Sequence, residues 1–434
     1  MSQNKLNKLT SVAALVMAVF AAATPLRAED KKHTLPEIMA MAREHNGELK
    51  ALRQELGISE AGKTRAGLRP NPILELEGAT GALTGSSSEN RAAIGVSQEF
   101  LLGGKRDKRL AVAETELTRL SNRLKDAERM VLLEVKTGFY DLLLTENRFD
   151  LAQKSLELNN QLLLITKERL AAGDVAELDV NLAKVEVARS DARKIESERE
   201  LEPARQRLLA LMGAPSLTTL NIAVSPAARP LLPNAAELRA LALQYRPDLQ
   251  AALAEKRKGA AAIYLAHSER IPNLTAGISF SREGTETSLG GLSERSTDYL
   301  IGLKFSIPIP VFDKNEAGIQ EAQARKNSAE SRHQYLTQNI EREVDAAQAR
   351  VASAEKSLTI YSKEIIPQLT ENLKLVQEAY RLGEVGIQAV IEEQKKFIEV
   401  NDAQLAALHS WNGAVAKLEA AVGTELKKED GGNN

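Results

Sequence analysis

Two long stretches of the chain, Gly104–Ala172 and Lys314–Leu382, carry apolar residues at a seven-residue spacing. The residues at this spacing are Leu110, Leu117, Leu124 and Val131 in the first stretch and Val344, Val351, Leu358 and Ile365 in the second. Such a pattern forms an apolar seam that needs a partner helix, while the charged remainder of the helix faces water. A helix of about 70 residues is about 100 Å long. The pattern therefore predicts two long coiled-coil helices rather than helices of a compact core.

Four shorter segments change to a period of two, with large apolar residues alternating with small or polar ones. They lie at about 71–82, 91–100, 273–282 and 298–307. This alternation predicts two strand hairpins and is typical of strands in an outer membrane, where one side faces lipid. The residues expected to face lipid are Leu74, Leu76, Ile94, Val96, Leu274, Ile278, Phe280, Tyr299, Ile301, Leu303 and Phe305.

The same order of elements occurs twice along the chain. Each half has a short helix, a strand hairpin, a long helix, a tight reversal and a returning helix, so the sequence predicts an internal two-fold repeat. Gly173 is expected to end the first long helix, and Asp174 is expected to cap the helix that follows. The predicted boundaries are 29–212 for the first repeat with a helical hairpin at 104–212, 213–233 for a proline-rich linker, 234–424 for the second repeat with a helical hairpin at 313–422, and 425–434 for a loose tail.

The first 28 residues have the pattern of a secretory signal. Lys5 and Lys8 precede the apolar run Ser11–Ala23, and residues 26–28 form a plausible cleavage site. An apolar run of 13 residues is too short to cross a bilayer as a helix, so a cleaved signal is favoured over an anchor. We therefore expect an exported protein whose membrane crossing, if any, is made by strands.

Composition excludes several classes of function. The net charge is −2, and no basic stripe with interleaved aromatic residues indicates nucleic-acid binding. The chain has no cysteine, which excludes disulfides and thiolate metal sites. Phosphate-loop and nucleophile motifs are absent, so we expect neither an enzyme nor a bound cofactor. No metal site is expected, because none of the five histidines clusters with other ligands: His33, His45, His267, His333 and His409.

Four strands with an apolar outer face cannot close a membrane barrel alone, since the smallest single-chain barrels use eight strands. A bilayer also tolerates no open sheet edge. Copies of the chain must then pool their strands: two copies give eight strands and a lumen filled with side chains, and three give twelve and a possible channel. The alternatives are a soluble hairpin packed on its own helices and a soluble coiled-coil scaffold, which leaves the strands and the signal unexplained.

Short motifs at the ends of these elements resemble those of the TolC-like outer-membrane efflux proteins, and among them the cobalt–zinc–cadmium type. The motifs are Arg69-Pro70-Asn71-Pro72, Ser97-Gln98-Glu99-Phe100, Leu102-Gly103-Gly104-Lys105-Arg106 and Arg169-Leu170-Ala171-Ala172-Gly173. The resemblance implies a mainly α protein with a small β part. It also implies a homotrimer in the outer membrane of a Gram-negative bacterium, with a twelve-stranded barrel and a helical periplasmic tunnel. The implied partners are outer-membrane lipid, a periplasmic adaptor and a proton-driven inner-membrane pump of the resistance-nodulation-division type.

The resemblance also assigns roles to residues near the two reversals. The implied adaptor contacts are Gly173, Asp174, Val175, Gly383, Glu384, Val385, Gly386 and Ile387. An acidic ring that closes the tunnel falls on Glu392, with Glu393 and Asp179 as further gate candidates. A second acidic position of some relatives falls on Lys395, which puts a double ring in doubt.

The leading hypothesis is an outer-membrane exit duct of a tripartite efflux system for divalent heavy-metal cations. One alternative is an exit duct for drugs or for type I secreted proteins. Another is a periplasmic coiled-coil adaptor, which would need a compact lipoyl-like β domain that the sequence does not contain.

Overall fold

The computed structural model describes residues 32–83, 86–215, 220–223, 231–290 and 292–427. The predicted signal at 1–28 lies outside these ranges, as do most of the predicted tail and part of the predicted linker. Within the described part of the chain, no helix is both long and apolar enough to cross a membrane.

The described chain contains long helices, a four-stranded sheet and a small two-stranded sheet. Their bounds in the first half are β1 Lys32–His33, α1 Leu35–His45, α2 Gly47–Ala66, β2 Ile73–Thr80, β3 Asn90–Phe100, α3 Lys105–Ala172, α4 Glu177–Met212 and β4 Asn221–Ile222. In the second half they are α5 Ala235–Tyr245, α6 Pro247–Glu269, β5 Leu274–Leu289, β6 Leu292–Ser306, α7 Glu316–Ile360, a π-helical turn Tyr361–Ile365, α8 Ile366–Leu382 and α9 Ile387–Val422.

The first predicted long helix is continuous, since α3 runs for 68 residues. The second is interrupted by the π-helical turn, in which the Ile366 N–H bonds to the Tyr361 carbonyl five residues earlier. Pro367 follows at the start of α8. A proline has no N–H and its ring collides with the carbonyl four residues before it, so a wider turn accommodates it where a regular helix would not.

The larger sheet is antiparallel with the strand order β2-β3-β5-β6, which leaves β2 and β6 as its edges. Helices α2, α3, α6 and α7 lie side by side in the same order below it, because each is joined directly to the strand above. The fold is therefore two equivalent units placed next to each other.

Strands β5 and β6 are longer than predicted. The polar sequence of Arg282–Ser296 predicts a loop, but residues 282–289 belong to β5 and residues 292–296 belong to β6. Its polar residues pair across strands, with Arg295 opposite Glu286 in the register and Arg91 of β3 3.2 Å from Glu283. Cross-strand ion pairs and β-branched threonines stabilise strands without apolar alternation, which is why the pattern missed them.

Parts of the predicted linker and tail are packed rather than loose. β4 pairs in parallel with β1, and Leu220 and Ile222 are buried in the core of the first repeat. In the tail, Leu426 is buried in the core of the second repeat, and the Lys427 carbonyl accepts a hydrogen bond of 2.8 Å from the Leu231 N–H. Both segments pack because they contain apolar side chains, whose burial away from water lowers the free energy of the folded chain.

Each repeat has a joint where its returning helix ends on its pair of short helices. In the first joint (Asn46, Leu211 and Gly213), the Asn46 side-chain amide donates 2.9 Å to the Leu211 carbonyl. In the second joint (Arg246, Ala421 and Gly423), Nη1 of Arg246 donates 3.1 Å to the Ala421 carbonyl.

The glycine that ends each returning helix has a left-handed backbone, with φ 68° at Gly213 and 82° at Gly423. A Cβ at Gly213 would overlap the His45 carbonyl, and one at Gly423 would lie 3.1 Å from the backbone of Arg246. Each joint therefore requires glycine for its backbone conformation and for the close approach of the two chain segments.

Candidate functional site

The two helical reversals have the same backbone. Gly173 and Gly383 follow α3 and α8 with left-handed φ values of 82° and 84°. The N–H of the next residue, Asp174 or Glu384, bonds back to a helix carbonyl at 2.9 Å in both cases. This arrangement satisfies carbonyls at a helix end and favours glycine at the left-handed position.

The helix after each reversal begins with an extended N-cap residue, Ala176 before α4 and Gly386 before α9. The prediction that Asp174 caps α4 is therefore wrong, since no side chain caps this helix end. The reversal is longer than a single residue, and Asp174 lies two positions too early for its carboxylate to act as the cap.

Most of the predicted contact residues at the reversals are at the surface. Gly173, Asp174, Gly383, Glu384 and Gly386 are exposed, and Val175 and Val385 are half-buried.

Ile387 differs from the other contact candidates, because its side chain is only 2% exposed. It lies in an apolar cluster with Leu162, Ala183, Tyr380, Val390 and Ile391. The Ile387 side chain therefore supports the second reversal from beneath and is not presented to a partner.

Polar contacts hold the second reversal against the first long helix. The hydroxyls of Tyr380 and Thr166 lie 3.0 Å apart in a buried position. Nη1 of Arg169 donates 2.8 Å to the Tyr380 carbonyl, and the guanidinium lies 4.7 Å from the centroid of the Tyr380 ring. Sequence reasoning missed this anchor, because its partners are more than 200 positions apart and no local pattern links them.

The acidic gate candidates have different environments. Glu392 is exposed and forms no ion pair within the part of the chain that the structure describes. Glu393 lies 3.7 Å from Lys396, whereas Lys395 lies 3.0 Å from Glu186 of α4. Among the described residues, neither Glu392 nor Asp179 has an ion-pair partner, and of these two Glu392 is the more exposed.

Asp179 is half-buried near the first reversal. When Gly173 is placed on Gly383, Asp179 corresponds to Ala389 and Glu392 corresponds to Leu182. The two acids therefore do not occupy equivalent positions of the repeat.

The predicted lipid-facing residues share one face of the sheet. The register places Leu74, Val96, Ile278 and Leu303 in one row across the four strands. The next row consists of Leu76, Ile94, Phe280 and Ile301. Their exposed fractions run from 47% at Val96 to 75% at Ile301, and Leu274 at the end of the face is half-buried. The structure thus forms a continuous apolar surface that no other part of the described chain covers.

The opposite face of the sheet is polar or small. The Ser97 hydroxyl donates 2.9 Å to Glu75, and Lys304 lies 3.8 Å from the same carboxylate. Gly95 and Gly277 keep the neighbouring positions free of side chains. This face suits contact with water.

The described residues contain no group of three or more His, Asp or Glu side chains that could hold a metal ion. His409 pairs instead with Asp141 of α3 at 2.7 Å, which joins α9 to the first repeat.

Comparison with known proteins agrees with this architecture. A family model described as "Outer membrane efflux protein" matches residues 38–214 and 238–424, one match in each repeat. The chain is 24% identical to the cobalt-zinc-cadmium resistance protein CzcC of Cupriavidus metallidurans over 390 residues, which cover 90% of each protein. It is 27% identical to the nickel and cobalt resistance protein CnrC of the same organism over 300 residues, which cover 69% of this chain and 68% of CnrC.

Among solved structures, CusC, a protein described as forming a transmembrane channel, superposes with a TM-score of 0.73 at 17% identity, covering 90% of this chain and 92% of CusC. At this identity the likeness concerns the fold. The paired family match and the structural likeness confirm a mainly α fold with a small sheet and an internal repeat.

Proposed function

The chain belongs to the outer membrane efflux protein family, and from that premise we propose that three copies form an outer-membrane exit duct for divalent heavy-metal cations. The predicted resemblance to efflux channels is confirmed, and the chain is a transport protein rather than an enzyme. The trimer, its partners, its residue roles and its cargo are parts of the proposal.

The observation that carries the proposal is the sheet with one exposed apolar face and two unpaired edges, β2 and β6. Each large apolar side chain on this face would gain about 1.5–3 kcal/mol by leaving water. A lipid environment covers the face but does not tolerate an open edge. Pairing β6 of one copy with β2 of the next removes both edges, and three copies give twelve strands, enough for a water-filled lumen.

The remaining parts of the proposal follow from placing the sheet in the membrane. With the sheet in the outer membrane of a Gram-negative bacterium, the helices extend about 100 Å into the periplasm. The exposed reversals at Gly173–Val175 and Gly383–Gly386 then face a periplasmic adaptor, which links the duct to an inner-membrane resistance-nodulation-division pump.

Glu392 is the proposed gate residue. Three copies of a carboxylate without a neutralising neighbour, arranged around one axis, attract cations and repel one another. We expect Glu392→Gln to lower cation selectivity or to raise single-channel conductance in planar bilayers. Glu393→Gln is the matched control, because Glu393 already lies beside Lys396, 3.7 Å away. Unchanged selectivity and conductance in Glu392→Gln would remove this residue from the gate.

The names of the relatives support metal cations as the cargo, since CzcC and CnrC are both named for metal resistance. We expect deletion of the gene to reduce growth in zinc, cobalt or cadmium and to raise the intracellular content of the same metal. Wild-type complementation should restore both. If deletion reduces tolerance to antibiotics alone, the cargo is a drug and the metal assignment is wrong.

A further inference from the structure

At the base of the sheet, two chain connections make a close contact between the repeats. Nζ of Lys105, just after β3, donates 2.6 Å to the side-chain oxygen of Asn273, just before β5. The Asn273 amide in turn donates 2.6 Å to Glu99. A Cβ on Gly103 would lie only 2.9 Å from the Ile271 side chain, so the two connections touch closely.

The internal repeat supplies the same two connections a second time. Pro70-Asn71 precedes β2 as Pro272-Asn273 precedes β5. Likewise, α7 follows β6 after Asn315 with φ 55°, as α3 follows β3 after Gly104 with φ 67°. In one chain these two copies cannot touch, because β2 and β6 are opposite edges of the sheet, about 14 Å apart over three strand spacings.

The connection before β2 and the connection after β6 both expose apolar side chains. Phe312 is fully exposed, and Ile309 is 82% exposed, in the connection after β6. Leu68 is 63% exposed in the connection before β2.

One pair of residues in the two connections has opposite charges, although the exposed Lys314 follows Asp313 directly. Arg69 and Asp313 are both exposed, and neither forms an ion pair within the described ranges. The two surfaces therefore offer each other exposed apolar side chains and one pair of opposite charges, Arg69 and Asp313.

We propose that residues 307–313 of one copy dock on residues 68–72 of the next copy, so that the contact between copies repeats the contact between the two halves of one chain. This inference rests on the proposed trimer. Since neighbouring strands run antiparallel, the end of β6 meets the start of β2 when these edges pair, which brings the two connections to the same level. Phe312 then covers Leu68, and Asp313 faces Arg69.

Cysteine cross-linking tests the contact directly, because the natural chain has no cysteine. Phe312→Cys is combined in turn with Leu68→Cys, Arg69→Cys and Asn71→Cys, and the purified protein is oxidised in detergent. A disulfide requires Cα atoms within about 7 Å, a distance that opposite edges of one sheet do not allow. We expect at least one pair to give covalent dimers and trimers that disappear on reduction.

Two controls define the result. Each single cysteine variant should give no covalent trimer. Ala93→Cys with Ser281→Cys, which are directly opposite on β3 and β5, should form a bond only within one chain. Multi-angle light scattering measures the mass of every variant in parallel. A trimeric mass without cross-links from any of the three pairs overturns the docking and leaves the trimer standing, whereas a monomeric mass overturns both.

Charge reversal provides a second, independent test. Arg69→Asp and Asp313→Arg should each lower the temperature at which the trimer dissociates on a semi-native gel, and the double variant should restore it. Contact of residues 307–313 with lipid instead of a second copy predicts no restoration. A double variant as unstable as the worse single variant would therefore overturn the proposed contact of Arg69 with Asp313.

Discussion

The two joints have the same geometry but different chemistry. In the first joint, the neutral Asn46 reaches the carbonyl of Leu211. In the second, Arg246 reaches the carbonyl of Ala421 and also lies 2.6 Å from both Asp248 and Glu343. The two units therefore share the position of the contact, whereas only the second has an ionic network, centred on the buried Arg246.

The reversals differ in the same direction. Ile387, which is buried, corresponds to Glu177, which is exposed, when the two reversal glycines are superposed. The buried Tyr380 likewise corresponds to the half-buried Leu170. The second unit thus has additional contacts at both ends: the ionic contacts of Arg246 at its joint and the buried side chains of Tyr380 and Ile387 at its reversal.

The largest expected effect is at the joints. Arg246→Met should lower the free energy of unfolding by about 3–5 kcal/mol, because it removes the buried cation that bonds to the half-buried Asp248, to Glu343 and to the Ala421 carbonyl. Asn46→Ala removes a helix cap and should cost about 1 kcal/mol. Urea unfolding followed by circular dichroism in detergent measures both variants. Equal losses would show that the ionic network adds nothing to the second joint.

The next effect is at the reversals. Ile387→Ala should lower the free energy of unfolding by about 2–5 kcal/mol, since it opens a cavity in the apolar cluster. Glu177→Ala, at the equivalent exposed position, should change it by less than about 0.5 kcal/mol. Hydrogen exchange of both reversals, with urea unfolding, compares the two. Equal changes in unfolding free energy and hydrogen exchange in the two variants would contradict the conclusion that Ile387 supports its reversal through burial.

A smaller effect tests the anchor of the second reversal. Tyr380→Phe removes one buried hydroxyl from its contact with Thr166 and should cost about 1 kcal/mol. Tyr335→Phe is the matched control, because Tyr335 is 64% exposed. Exchange of the amides in α8 should rise in the first variant alone. No increase would show that the hydroxyl pair does not hold the reversal.

The smallest expected effect is a dependence on pH that belongs to the second joint alone. Burial by itself would raise the pKa of Asp248, but hydrogen bonding and the charges of Arg246 and Arg129 outweigh it and hold the pKa below the ordinary 3.8. The resulting stabilisation is complete above pH 3.8 and is lost as the pH falls towards the lower folded-state pKa. Unfolding midpoints from pH 6 to about pH 2.5 should fall less steeply in Asp248→Asn. An unchanged slope would assign the acid sensitivity to other groups.

Periodicity was sufficient to predict the repeated helices, the four strands and the glycines of the reversals, because each depends on local geometry or on one buried face. It could not predict the polar ends of β5 and β6, whose stability comes from pairing across strands. In the local sequence, Arg246-Pro247 indicates no more than the end of a short helix. The ionic network around Arg246 depends on residues about 100 and 175 positions away, which only the folded chain brings together.

Among the site candidates, sequence reasoning placed the apolar strand residues on one face, as the register has them. The same reasoning expected Ile387 to be a contact residue, but its side chain is buried. The local sequence does not show this burial, because the exposure of a residue next to a turn depends on which distant helices approach it. The side chains of Leu162 and Tyr380 come from outside the local segment and enclose Ile387.

Helices α4 and α9 are both 36 residues long, and each ends at the glycine of an equivalent joint. Because the close fit of those glycines prevents either helix from sliding along its axis, both reversals lie about 54 Å from their joints. The two reversals therefore lie at equal distances along the chain from their joints. An insertion of one residue into α4 alone would displace one reversal by about 1.5 Å and rotate it by about 100°, so the two lengths must change together.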